Sequence, residues 1–510
     1  MSSSNNRIRW WHLAIIAVLT VLALVWIWTS AAPQRQARVF QTVSILLISF
    51  LLILLWLLFL SRLRWKVRLI SLGVIALMLG LSPMLFRVRG FSGDLVPILE
   101  WRWAKKAGSG LITTLEKGKS LSRLSPNDYP QFLGPNRNAT ISGIRLARDW
   151  SKRPPRLVWR QPIGAGWSAF AIAGNSAITQ EQRDEWEMVV CYDLKSGQER
   201  WSHRDRVRFD QMPAGVGPRA TPTIVEDRVY TLGATGILNC LELETGEGIW
   251  SKDIIRDNNA KAAPWGVSGS PLVLGERVIV SAGGSEGKSL VAYHKDSGER
   301  IWSGGTARAG YSSPQITTVA GVRQILIFNY GNVAAHEPFT GQVLWQHPWA
   351  KVECVAQPVP LPGDRVFVSS GYGIGGKLFQ IQRDETEALQ VSLVWETPRF
   401  KAKFTNVVYR DGYIYGLDDG VLACLDITDG QRKWKRGRYG HGQVILVDDL
   451  LLVQTESGGV ILVEVNPHEH KELARFPALE GKTWNSPALA GPYLLVRNDR
   501  EAACYELPLE

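Results

Sequence analysis

At seven places, spaced by roughly 45 residues or twice that, the 510-residue chain sets a polar or aromatic side chain just ahead of an apolar run: Trp167, Arg219, Tyr311, Gln357, Lys403, His441, and Trp484 with Asn485 beside it. Three of these are basic or can become so, and three are aromatic. Gathered around one axis, they would hold a flat anion through charge-assisted hydrogen bonds and ring stacking. The same side chains would also serve simply to plug and solvate a narrow channel. Other groups with chemical potential point elsewhere. GYGIGG at 371–376 lacks the helix that a phosphate-binding loop needs and reads as a long hairpin. His468 and His470 in NPHEH read as a surface turn. No Ser-His-Asp set, paired carboxylates or CxxC stands out.

The elements that must position these residues are repeats. Short strand starts recur as WSA at Trp167, RATP at Arg219, SGSP at Ser268, YSSP at Tyr311, AQP at Ala356, FTN at Phe404, HGQ at His441 and WNSP at Trp484. Downstream, a turn with glycine leads four residues later to tryptophan: Gly197 and Trp201, Gly246 and Trp250, Gly298 and Trp302, Gly341 and Trp345, Gly430 and Trp434. Glycine suits a turn at positive φ, and the tryptophan is expected to bury its ring against a neighbouring unit. Eight units of this size predict an all-β fold, an eight-bladed β-propeller of four-stranded blades. The last unit stops before its tryptophan strand, so PRLVWRQP with Trp159 is expected to complete it and close the ring. Trp395 and Phe476 are expected to take the tryptophan place in units five and seven. Cys191, Cys240, Cys424 and Cys504 share one repeat position, which predicts core packing and neither disulfides nor a zinc site.

The front of the chain differs. Apolar runs at 11–29, 39–60 and 69–86 predict about three transmembrane helices in a region 1–90. An interfacial segment and linker over 91–127 follow, LVPILEWRWAKK among them, with the propeller over 128–510. Arg7 and Arg9, and Arg62, Arg64, Lys66 and Arg68, outnumber Arg35 and Arg38, which places the N-terminus inside and the propeller outside. Basic residues over 87–106 weaken that bias, and with two spans the side inverts. The net charge of +11 sits in this front part: residues 1–127 carry +13 and the remainder −2. Such a distribution serves topology and lipid headgroups, not nucleic acid.

The glycine–tryptophan phrases resemble the pyrroloquinoline-quinone-like (PQQ-like) repeat β-propellers, whose docking pattern is A-x-D/E-x-x-T-G-x-x-x-W. The lead-in DYPQFLGPNR at 128–137 is similar to the opening of bacterial members. The resemblance implies one of two functions. One is a non-catalytic binding or scaffold module for envelope proteins, as in the lipoprotein of outer-membrane barrel assembly, carried here on an inner-membrane anchor with the propeller in the periplasm. The other is a PQQ-dependent, Ca²⁺-holding dehydrogenase of sugars or alcohols that passes electrons to membrane quinone. The family's enzymes carry a vicinal cysteine pair that this chain lacks, and 383 residues over eight blades leave little for substrate-pocket insertions. The expectation is therefore a scaffold without cofactor, catalytic residues or metal, with PQQ and Ca²⁺ as the alternative.

Overall fold

A computed structural model of the chain describes residues 10–30, 34–104, 125 and 127–510, in two compact units, 1–105 and 106–510. Arg7, Arg9, Lys105, Lys106 and most of the linker lie outside the described residues.

The first unit holds three helices, Trp10–Thr29, Arg35–Leu55 and Trp65–Leu85, the second prolonged by a π turn over Trp56–Leu60. All three are long and apolar enough to cross a membrane, by length and composition. The first two pair through Thr20 Oγ1 and Ser49 Oγ at 2.6 Å, and Trp28 Nε1 donates to Thr42 Oγ1 at 3.2 Å. Residues expected as an interfacial stretch contribute the second strand of a hairpin, Phe86–Phe91 against Pro97–Trp101. Alternation explains the strand: Phe86 lies opposite Trp101 and their rings stack at 4.3 Å. Arg35, at the start of the second helix, pairs with Asp94 in this hairpin's turn at 3.0 Å.

The second unit is a propeller of eight four-stranded antiparallel blades, over 171–205, 223–253, 272–304, 315–348, 359–397, 408–438, 443–477 and 488–506. The eighth takes its outer strand from Arg156–Pro162, where Trp159 lies opposite Cys504. Each repeated glycine packs against the tryptophan of the blade before its own. Gly197 meets Trp159, and Gly246, Gly298, Gly341 and Gly430 meet Trp201, Trp250, Trp302 and Trp395, all five with φ between 68° and 76°. Each of these rings also donates its Nε1 proton across the blade boundary, Trp159 to Leu194 O at 2.8 Å and Trp201 to Leu243 O at 2.9 Å. At about 25 cal/mol/Å² over roughly 200 Å², one such ring contributes about 5 kcal/mol before the entropy of ordering it.

Two positions depart from the repeat. Trp345 turns to its own blade, donating to Gln324 Oε1 at 2.6 Å, because blade five closes its outer hairpin through Arg383–Leu389 without the Thr-Gly turn. In blade seven, strand register puts Ala474, not Phe476, in the tryptophan place, opposite Leu462. Phe476 packs instead on Trp150 at 5.6 Å and Tyr505 at 4.8 Å. The four repeat cysteines lie opposite tryptophans, buried and unpaired. Burial pushes their thiols up to about 11 or 12.

Candidate functional site at the channel mouth

The small residues of the strand starts form a chain of bonds around the axis. Ala169 N donates to Thr221 Oγ1, Thr221 N to Ser270 Oγ, Ser270 N to Ser313 Oγ, Ser313 N to Gln357 Oε1 and Gln357 N to Asn406 Oδ1, at 2.9–3.3 Å. Gln443 continues it differently, its Nε2 bridging Phe404 O and Trp484 O at 2.9 Å each. Asn485 Nδ2 reaches Ser168 O at 2.8 Å, which brings the last blade back to the first. The buried Arg497 reinforces that closure, with bonds to Thr179 Oγ1 at 2.6 Å, Gln180 O at 2.8 Å and Gly164 O at 3.0 Å. A repeat that reads in sequence as short strand starts is thus also, from blade two to blade six, a set of side-chain acceptors aimed at the blade before. Gln357 Oε1 and Asn485 Nδ2 are spent on this ring.

Above the ring the aromatic residues meet one another. Trp167 and Trp484 lie 5.0 Å apart, Phe404 is 5.3 Å from Trp484 and 5.6 Å from His441, and Trp265 lies 6.3 Å from Phe404 and 5.4 Å from Tyr311. Trp265 precedes blade three and Phe404 precedes blade six, so this contact crosses the channel. Lys482 Nζ sits over both Trp167 and Trp484, at 4.6 and 4.1 Å, and Lys403 Nζ sits over Phe404 at 5.1 Å. Glu456 accepts from Trp484 Nε1 at 2.9 Å and from the His441 backbone at 3.1 Å.

Of the residues expected at the mouth, Trp167, Tyr311, Lys403, His441 and Trp484 come together. Arg219 does not. Its guanidinium donates to Gly215 O at 2.8 Å and to Gly217 O, and stacks on Phe209 at 4.4 Å, holding the 206–217 loop in place. Beside it the buried Glu187 accepts from Ala234 N at 3.0 Å, and burial pushes its carboxyl up to about 7. Sequence reading missed Trp265, Lys482 and Glu456. Only the length of the 256–267 loop pointed to Trp265, because the loop lies outside the repeat.

The opposite side of the inner strands carries the lead-in. Tyr129 bridges to Ile172 of blade one, Ile224 N of blade two donates to Pro130 O at 2.8 Å, and Arg137 bonds Ser270 O at 3.0 Å and Pro271 O at 2.9 Å at the start of blade three. Thr140–Ile141 then adds a parallel strand to blade seven, and Ala147 N reaches Pro508 O beside blade eight.

Comparison with known proteins agrees with this geometry. The family model described as outer membrane protein assembly factor BamB matches residues 185–436, from blade one into blade six. BamB of Yersinia pestis is 26% identical over 339 residues, 62% of this chain and 83% of that protein. Quinohemoprotein alcohol dehydrogenase ADH IIB of Pseudomonas putida is 30% identical over 128 residues, 23% of this chain. The matched region spans only 17% of that dehydrogenase, and 63% of BamB from Moranella endobia. Among solved structures, BamB from Moraxella catarrhalis superposes with a TM-score of 0.50 at 16% identity, covering 69% of this chain and 98% of that one. Quinohemoprotein alcohol dehydrogenase from Comamonas testosteroni gives 0.52 at 11%, covering 74% and 80%. At such identities the structures speak for the fold alone. The protein is an eight-bladed β-propeller with three N-terminal apolar helices, and its propeller is similar to BamB and to quinoprotein dehydrogenases.

The rings in contact at the mouth, 5.0–6.3 Å apart, leave no slot between them for a third flat ring. Among the described residues, the three ionisable groups close enough to share a metal ion are Glu276, His294 and Asp296. These lie on the outer turns of blade three and not at the mouth.

Proposed function

We propose that this protein is a non-catalytic binding module, anchored in the inner membrane, whose propeller recruits envelope proteins on the periplasmic side. One observation carries the reading: at the channel mouth the aromatic side chains pack on one another, which leaves the outside of the propeller as the surface for a protein partner. Exposed apolar residues stand on the edges of consecutive blades, Ile249 on blade two, Ile301 on blade three, Phe339 on blade four, and Leu393 and Val394 on blade five. Such an arc suits contact with a partner. The similarity to BamB supports an envelope role. The Arg35–Asp94 pair supports three crossings, since it brings the loop after the first helix and the hairpin after the third to one side. With the N-terminus inside, that side is the periplasm.

Photo-crosslinking residues placed at Ile301, Phe339 and Leu393 in the full chain, in its native membrane, test the proposal. Discrete adducts with envelope proteins are expected at these positions and not at exposed Asp411. The dehydrogenase reading rests on the similarity to ADH IIB. Calcium-dependent binding of PQQ by the full chain, with dye-linked oxidation of a sugar or alcohol, would replace the scaffold by that reading.

A further inference from the structure

Arg137 is a buried cation without an anion. It is 2% exposed, and among the described residues no carboxylate pairs with it. Its three bonds go to Gln131 Oε1, Pro271 O and Ser270 O, all neutral oxygens, at 2.9–3.1 Å. A guanidinium has five N–H groups. Nη1 spends two and Nη2 one, which leaves Nε–H and one proton on Nη2. These two nitrogens share the edge that grips a carboxylate through parallel bonds. Burial alone pulls the group down to about 9, with no charged neighbour opposing it, and it stays protonated at neutral pH. A buried charge left in this state is costly, by several kcal/mol in typical cases.

Beside it lies a cavity of about 120 Å³, walled by Arg137, Asn138 and Thr140 of the lead-in and by Gln315, Gln357 and Asn406 at the starts of blades four, five and six. Its lining contains no acidic residue. Two of its walls hold buried amide atoms with no partner, Gln357 Nε2, a donor, and Gln315 Oε1, an acceptor. Gln315 is 3% exposed and Gln357 4%. The wall therefore combines one uncompensated positive charge, one spare donor and one spare acceptor. At about 30 Å³ per water the space suits a ligand of a few heavy atoms.

We infer that this cavity between the lead-in and blades four to six binds a small carboxylate that carries its own hydrogen-bond donor, with Arg137 and Gln357 on the carboxylate and Gln315 on the donor. The site is walled by none of the aromatic residues of the mouth and does not depend on the surface role proposed above.

Calorimetric titration of the full chain in nanodiscs with lactate, propionate and inorganic phosphate tests it. Lactate should bind at one saturable site. Propionate, which lacks the donor, should bind about five-fold more weakly, the worth of one hydrogen bond. Arg137→Gln should remove both. In Gln315→Leu, whose lost oxygen makes no bond within the fold, lactate should fall to the level of propionate; that arm stands even where the arginine variant fails to fold. No saturable heat from lactate up to about 50 mM, tighter binding of phosphate than of either carboxylate, or an unchanged lactate-to-propionate ratio in Gln315→Leu would each overturn the inference.

Discussion

If glycine is required in the outer turns because the preceding blade's tryptophan leaves no room for a side chain, then Gly298→Ala should cost more than backbone strain alone. Gly298 has φ +68°, and a Cβ there would lie 2.8 Å from Trp250 Cδ2 and 2.9 Å from Cε3. The left-handed backbone costs alanine about 1–2 kcal/mol. Displacing a packed ring adds about 1–3 kcal/mol. Gly275, in the same blade, supplies the control, with φ +56° and no atom within 4 Å of the added Cβ. At about 2.1 cal/mol/K of unfolding entropy per residue, a propeller of this size melts with roughly 0.8 kcal/mol/K. Gly275→Ala should therefore lower Tm by about 1–2 °C and Gly298→Ala by about 3–6 °C. Near-ultraviolet circular dichroism of the full chain reads both. In a Trp250→Phe background the smaller ring yields, and the penalty at Gly298 should shrink toward that at Gly275. Equal shifts for the two alanines in the native background would refute the docking argument and leave φ alone as the reason for glycine.

Three further outcomes follow from the same packing. Glu187 keeps its proton up to about 7 in the folded state, whereas the unfolded chain releases it near 4.5, so stability should fall as pH rises between these values and level off above them. Melting curves of Glu187→Gln should lose that slope; a variant that keeps it would show that Ala234 N and Arg219 already hold the carboxylate ionised. Gln324→Leu strands the buried Nε1 of Trp345 and should destabilise by about 1–3 kcal/mol, read as a Tm drop of a few degrees. All five cysteines are buried, so a membrane-impermeant maleimide should label none of them in the native protein and five after denaturation. On that silent background, Ser457→Cys in the propeller and Arg64→Cys between the second and third helices should fall on opposite sides of the membrane. Labelling of both from one side would exclude three crossings.

The propeller was legible in the sequence because its tryptophans and glycines solve the same local problem in blade after blade, and repetition makes a local solution visible. Where the problem changes, the signal fails. Phe476 looked like a worn tryptophan by spacing, yet strand register assigns that place to Ala474. Trp345 keeps the phrase, but the outer hairpin of blade five runs on to Arg383–Leu389 before it turns, and the ring's proton goes to Gln324. The channel mouth was half legible for the same reason. Trp167, Tyr311, His441 and Trp484 sit at repeat positions and could be named, while Trp265 and Lys482 come from segments outside them.

Arg219 and Arg137 show what spacing cannot supply. Arg219 stands in register with the mouth, but its guanidinium bonds the carbonyls of its own loop. Arg137 has no repeat partner, since the lead-in occurs once, and its neighbours at Ser270 and Pro271 are more than 130 residues away in sequence. It is nevertheless an arginine whose buried surroundings leave Nε without a partner. In a closed ring of nearly identical blades, a unique segment that crosses the repeats is therefore a good place to seek chemistry, because there the fold can hold a charge that the repeat does not supply with a partner.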